Sequence, residues 1–451
     1  MTEAAQAAAA RPVRSGLAEI LRGRDFRLLW GGEFVSLLGS QFFVVALPWL
    51  VYRLTKDALA IGAILAVGAA PRTVFILVGG VLTDRFDSRR VMLYSNLARM
   101  ALVAVLALLT VLGVVNLWML YAFSFLLGLG YALYLPAQSA MIPRLVQDNR
   151  LQIGNAVIQG TAQLSVVLGP AIAGVLIWLL GQKGGGGAVG YGGIGIGIAF
   201  ALNAGTFLVS GVTLGLIRMP RHGEDGDPAE GSDPAGSESV LRKLAEGITY
   251  VWRDRTLRLY FVLIGAVNLA LLGPLSVGIP VLAATRFAGG SMAYGSILSG
   301  LGAGALAGVV AGGTLRKPPG RGFAVALLGS VVVLGVGTAL MGVFTSAAAT
   351  TGASFLVGVA EGYLTIVFIT WLQRRTSRRQ LGRMMSILLF ASVGQAPVSN
   401  LVAGALIGQD ASLVMLGAGA LIVLVAGIAA LSPAVWQLSD NGAPPEAGPA
   451  S

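Results

Sequence analysis

The chain has 451 residues, 55% apolar and 11% charged, with a formal net charge of +11. A water-soluble protein of this length carries roughly a quarter charged residues, so a soluble globule is excluded. Cysteine is absent, which removes disulfides, thiolate catalysis and Cys-based metal sites, and the single histidine, His222, sits in an acidic loop as a solvated side chain.

The N-terminus has an alanine run and then Arg11 and Arg14, without the apolar core of a signal peptide. Beyond it, apolar blocks of about twenty residues recur, each long enough to cross a hydrocarbon core of about 30 Å as a helix. They predict twelve spans, at 29–52, 58–82, 91–113, 117–139, 151–180, 193–217, 259–283, 290–314, 322–345, 349–372, 384–407 and 411–431. The fold class expected is an all-α membrane protein with two pseudo-symmetric six-helix bundles, 29–217 and 259–431. These are flanked by segments 1–28 and 432–451 and joined by a linker, 218–258. The linker opens acidic and rich in Gly, Pro and Ser, as flexible chain does. Its second part places Leu241, Leu244, Ile248 and Val251 at helical spacing among Arg242, Lys243, Arg253 and Arg255, the pattern of a helix lying on the inner membrane surface.

Twenty-five of the 31 Lys and Arg fall on one side of these spans when the N-terminus is placed inside. Positive charge resists translocation, so both termini are expected in the cytoplasm, in a bacterial plasma membrane. The basic excess is therefore topology and does not call for nucleic acid. The halves echo each other: Gly79-Gly80-Val81-Leu82 ends the second span and Gly312-Gly313-Thr314-Leu315 the eighth. Such an internal repeat suits a rocker built around a midplane site.

The loop Gly80-Val81-Leu82-Thr83-Asp84-Arg85-Phe86-Asp87-Ser88-Arg89-Arg90 resembles the G-x-L-x-D-R-x-G-R-R signature of the major facilitator superfamily, with Asp87 and Ser88 departing from the usual Gly and Arg. Ser95-Asn96-Leu97-Ala98-Arg99, Pro136-Ala137-Gln138-Ser139, Pro143-Arg144-Leu145-Val146 and Leu381-Gly382-Arg383-Met384-Met385-Ser386 are most similar to the branch of enterobactin exporters and macrolide-efflux proteins. The resemblance implies that Gly80, Asp84, Arg85 and Arg89 form an inward gate. It also implies that spans one, four, seven and ten line a central cavity. Independently of it, Asp84 follows a helix C-terminus, where its charge opposes the dipole and demands a partner elsewhere. Span five carries Ser165-x-x-x-Gly169-Pro170-Ala171-Ile172-Ala173-Gly174, which resembles the antiporter signature G-x-x-x-G-P-x-x-G-G through Gly169, Pro170 and Gly174. Gly300, Gly304, Gly308 and Gly312 recur every fourth residue in span eight, as in a packing seam. In this fold such seams are expected between the rocking halves.

Two acids fall within spans. Glu33 lies one turn into the first, where an interfacial position and a cavity position are both open. Glu361 lies near mid-bilayer in the tenth, where a carboxylate must face a cavity or a partner. It is a candidate for proton coupling or cationic-substrate binding, the alternative being a structural pair with a buried base such as Arg72. Arg72 follows Pro71, and either an anionic group or backbone carbonyls freed by the proline can occupy it. Polar stripes add Gln41 beside Ser36 and Ser40 in span one, Tyr131, Tyr134 and Gln138 with Ser124 in span four, Asn268 in span seven, and Gln395 between Ser392 and Ser399 in span eleven. Such stripes serve interhelical hydrogen bonding or line a cavity, and as cavity lining they suit an amphipathic ligand.

Many family members have an Asp where Ser40 stands, and many drug antiporters an Arg where Ser124 stands. The spans hold no His, no Cys and no clustered acids; no G-x-x-x-x-G-K-[ST] loop occurs, and Gly184–Gly187 is an exterior spacer. An enzyme is not expected, nor a metal or cofactor. The expected function is a proton-coupled exporter of amphipathic molecules such as drugs, macrolides or a siderophore, in contact with membrane lipid and functional as a monomer. A proton-independent facilitator of lipids or metabolites and a transport-fold sensor are the alternatives.

Overall fold

The computed structural model describes residues 19–218 and 249–436, apart from 86, 148–149, 184–192, 250–251, 253, 316–320, 376–383, 385–387, 389–390 and 393; side chains 75–85, 255–256, 374–375 and 434 also lie outside the description. His222, most of the linker with its amphipathic helix, Gly184–Gly187, the Leu381–Ser386 motif apart from Met384, the end of the tail, and the side chains of Gly80, Asp84 and Arg85 therefore fall outside it.

Among the described residues there is no strand. The helices are α1 (Arg24–Thr55), α2 (Ala58–Arg85), α3 (Ser88–Val111), α4 (Leu117–Leu145), α5 (Leu151–Lys183) and α6 (Gly193–Leu216). There follow α7 (Arg255–Gly273), a π-helical turn (Pro274–Gly278) and α8 (Ile279–Arg286), which together make one span. The last are α9 (Ser291–Thr314), α10 (Arg321–Val343), α11 (Ala347–Arg375), α12 (Ala396–Ile407) and α13 (Ala411–Ala430). Ten helices among the described residues are long and apolar enough to cross a membrane, and Ala58–Val74 and Ala396–Ile407 are shorter apolar helices. The chain is an all-α integral membrane protein. Large apolar side chains such as Leu108, Leu424 and Ile428 stand exposed, as lipid-facing residues do.

The chain divides into two compact units: residues 1–50 with 67–234, and 51–66 with 235–451. The first unit is built on small residues that let helices close. A Cβ at Gly32 or Gly39 of α1 would fall within 2.0 Å of the Thr213 or Thr206 hydroxyl of α6, and one at Gly128 of α4 within 2.2 Å of the Gly68 carbonyl of α2. Asn96 of α3 donates to Ser210 of α6 at 2.9 Å. Asp87, where the signature has Gly, accepts from the Arg89 amide at 2.9 Å and so caps α3. Arg89 itself donates from Nε to the Leu214 carbonyl at 2.8 Å and from Nη2 to that of Gly215, closing the C-terminus of α6. Its described contacts are those of a cap.

In the second unit the span-eight glycines meet α11. Built Cβ atoms at Gly304 and Gly308 would lie 2.0 Å from the Phe355 carbonyl and 2.1 Å from that of Val359, and Gly358 and Gly362 of α11 answer against Leu301 and Ala305 at 2.1 Å each. This corrects the expectation that the seam lies between the halves, because α9 and α11 belong to one unit. Both partners carry the glycine repeat, so the two backbones touch each other directly. Two spans expected to be continuous are interrupted, the seventh by the π turn at Pro274 and the eleventh by a turn at Gly394–Gln395 before Pro397. A proline lacks the N–H that a continuous helix needs. The interruptions are joined by Ser276 donating to Asn400 Oδ1 at 2.6 Å, by Ser399 donating to the Leu269 carbonyl at 2.7 Å, and by the Gly273 amide donating to Ser399 Oγ at 2.7 Å.

Candidate functional site

Each unit holds a cavity with an acidic side chain in its lining. In the first, α1 presents Glu33, Ser36 and Ser40 on one face, three to four residues apart, with Gln41 adjacent. From α4, Tyr134 and Gln138 stand one turn apart, and both reach the Glu33 carboxylate: the Tyr134 hydroxyl donates to Oε2 and the Gln138 amide to Oε1. Glu33 is 2% exposed, so its carboxylate is enclosed by protein partners. α1 begins at Arg24, which places Glu33 nine residues into the helix.

Two arginines complete the cavity. Arg72 of α2 stacks on Tyr131 with Cζ 4.5 Å from the ring centroid, and no described hydrogen bond ties it to the carbonyls near Pro71. Arg99 of α3 lies 4.2 Å from the Phe207 ring and 5.1 Å from that of Tyr134, and donates to Asn96 at 3.4 Å. A desolvated guanidinium over a ring gains about 2 kcal/mol. Gly130 makes room for its stem, since a Cβ there would lie 3.0 Å from Arg99 Cγ. The described ion pairs, Arg24–Asp25, Arg144–Asp87 and Arg150–Glu19, include none of these three charges. The cavity measures about 210 Å³.

The structure thus brings together Glu33, Gln41, Arg72, Tyr131, Tyr134 and Gln138 from the sequence candidates. It adds Arg99, Asn203 and Phe207, which sequence reasoning did not select. Arg99 carried a signal, since an ionisable group within a span is a functional candidate by default. Gln41 is positioned by the antiporter-like motif, because Gly169 packs on it and a Cβ there would lie 2.4 Å from Gln41 Cβ. Pro170 and Gly174 are buried in the same helix, α5. Ser124 does not line the cavity; it is 4% exposed at the crossing of α4 with Gly68 of α2.

The second cavity, about 380 Å³, is framed by α7, α10 and α11 and lined by Tyr260, Leu263, Asn268, Glu361, Thr365 and Phe368 among others. Tyr260 and Phe368 stack with centroids 4.1 Å apart and planes 4° apart, and Trp371 stacks on both. Among the described residues no hydrogen bond or ion pair holds the Glu361 carboxyl. Gln395 is not part of this lining; its amide donates back to the Ala391 carbonyl at 3.0 Å. Ser392 lines the cavity while Ser399 bonds between helices, so the span-eleven stripe divides its work.

Comparison with known proteins identifies the family. The family pattern of the Major Facilitator Superfamily matches residues 29–399. Macrolide efflux protein A of Streptococcus pyogenes is 24% identical over 266 residues, 58% of this chain and 60% of that protein, so the match spans less than two thirds of that relative. Multidrug efflux pump Tap of Mycolicibacterium fortuitum is 25% identical over 378 residues, 82% of this chain and 85% of that one. Among solved structures, the nucleoside transporter NupG superposes with a TM-score of 0.67 at 11% identity, covering 90% of this chain and 98% of its own, which is a likeness of fold. The chain belongs to the Major Facilitator Superfamily.

Proposed function

We propose that this transporter exports amphipathic small molecules across a bacterial plasma membrane, driven by proton entry, with the halves 29–217 and 259–431 alternating access and both termini in the cytoplasm. The observation that carries the reading is the second cavity. Its walls are aromatic and apolar, its polar groups few, and its single carboxylate, Glu361, has no counter-charge among the described residues. Such a pocket takes an apolar body and anchors it at a few polar points. An uncompensated carboxylate within a span must take up a proton or meet a cation. Macrolide and multidrug efflux relatives support the direction of transport.

The test is energised export of a dye and drug panel from cells expressing wild type or Glu361→Gln, with and without an uncoupler. Export that collapses with the uncoupler and in the variant is expected. Export that persists in Glu361→Gln would remove that residue from coupling. Export indifferent to the uncoupler would favour a proton-independent facilitator, a reading for which Ser40 and Ser124 speak.

A further inference from the structure

We propose that the cavity of the first unit is an organic-anion site, in which Arg72 receives the carboxylate of a substrate. This rests on the transporter reading and names the chemistry of one end of the cargo. The charges do not balance: two guanidiniums, Arg72 and Arg99, share the cavity with one carboxylate. That carboxylate is already engaged, because Glu33 accepts from Tyr134 and from Gln138 and pairs with neither arginine. Arg99 is 6% exposed, enclosed by three rings and bonded to Asn96, so its role is to supply positive potential.

Arg72 differs from Arg99. It keeps an exposed surface, its one described partner is the face of Tyr131, and its N–H fork is left for an acceptor. A planar guanidinium matches a carboxylate in two parallel hydrogen bonds. Asn203, 1% exposed, lines the same cavity with an amide oxygen that has no partner among the described residues. Since the two ends of an amide are assigned from their surroundings, it offers a donor to an anion equally well. The walls are Tyr131, Tyr134, Phe43 and Phe207, so the anion that fits carries an aromatic or apolar body. At about 210 Å³ the cavity is smaller than the roughly 300–1,000 Å³ that encloses a drug-sized ligand, so it receives one functional end of a molecule.

The experiment is a ligand-observed NMR titration of the full-length protein in phosphatidylcholine nanodiscs with benzoate, its neutral isostere benzamide, its cationic isostere benzamidine, and sulfate. Benzoate is expected to bind in preference to the other three. Arg72→Gln weakens it by about tenfold or more, as loss of a charge-assisted bond does. Arg72→Lys restores part of the loss, which also answers a folding defect, and thermal midpoints monitor the fold. Glu33→Gln tightens benzoate by about tenfold, because a nearby negative charge is removed. Equal binding of benzamide, an unchanged affinity in Arg72→Gln, or weaker binding in Glu33→Gln would overturn the proposal. Sulfate binding as tightly as benzoate would reduce the site to an inorganic-ion site and overturn it as well. Nanodiscs containing phosphatidylglycerol separate the sources: benzoate binding abolished there assigns the site to a lipid headgroup against a solute. Loss of dye export with Arg72-dependent benzoate binding intact strikes the exporter reading alone, and the converse strikes this one alone.

Discussion

Glu33 is held by two donors spaced one turn apart on α4, and that spacing is a property of the sequence Tyr134-x-x-x-Gln138. A buried carboxylate that loses a donor retains its desolvation cost. Tyr134→Phe is therefore expected to lower stability by about 1–3 kcal/mol. Tyr131→Phe, which keeps the ring that Arg72 covers, should change it by less than about 0.5 kcal/mol. Thermal unfolding in detergent compares the two. In the second unit, Asp410 caps α13, accepting from the amides of Ser412 at 2.7 Å and Leu413 at 3.3 Å. These backbone bonds, the Ser412 amide first, hold its carboxyl below the usual carboxylate value, with Arg286 adding to them. A depressed folded-state value means that the contribution is full above the unfolded carboxylate value of about 3.9 and is lost as pH falls through the lower folded one. Between pH 5 and pH 3 the wild type should lose more thermal stability than Asp410→Asn, whose side chain still caps but does not titrate. An equal loss in both would refute this role.

Helix contacts follow the same logic one scale up. The α9–α11 seam closes because glycines on both helices let carbonyls approach where any Cβ would collide. Gly308→Ala puts a carbon 2.1 Å from the Val359 carbonyl and 2.8 Å from the Tyr363 amide, both backbone atoms that cannot swing away. It should cost about 1–3 kcal/mol through overpacking. Gly313→Ala, in the same helix with nothing within 4 Å, should be neutral or stabilise by up to about 1 kcal/mol. A similar loss for both would deny that the seam governs stability. The four-residue period was legible in the sequence, but its partner was not. The period states which face is small, and only packing states which helix meets it. The same holds for the interrupted spans: Pro274 and Pro397 were visible, yet a proline in a membrane helix either kinks or breaks it, according to what satisfies the freed backbone groups. At the π turn Ser399 bonds the Leu269 carbonyl and the Gly273 amide, and Ser276 bonds the Gly273 carbonyl.

For the whole molecule, the native absence of cysteine makes topology directly measurable. Val114, 53% exposed between α3 and α4, and Leu315, 64% exposed after α9, stand on opposite sides in the proposed orientation. Val114→Cys should react with a membrane-impermeant maleimide in intact cells, and Leu315→Cys only after permeabilisation; the reverse pattern would invert the topology. Hydropathy and the distribution of Lys and Arg determined by themselves that this is a helical membrane protein, roughly where its helices run, and through the loop motif to which family it belongs. These are properties of local segments and of their transfer into lipid, and no contact between distant residues is needed to read them. Which donors meet the Glu33 carboxylate, which ring Arg72 covers and what the Gln395 amide bonds were decided only by tertiary structure. Each depends on which groups from other helices stand opposite: Tyr134 and Gln138 reach Glu33 across about a hundred residues of sequence, and Arg99 enters the cavity from a third helix. A helix face specifies what it can offer, and the choice among its partners is made by the packing that brings one of them within bonding distance.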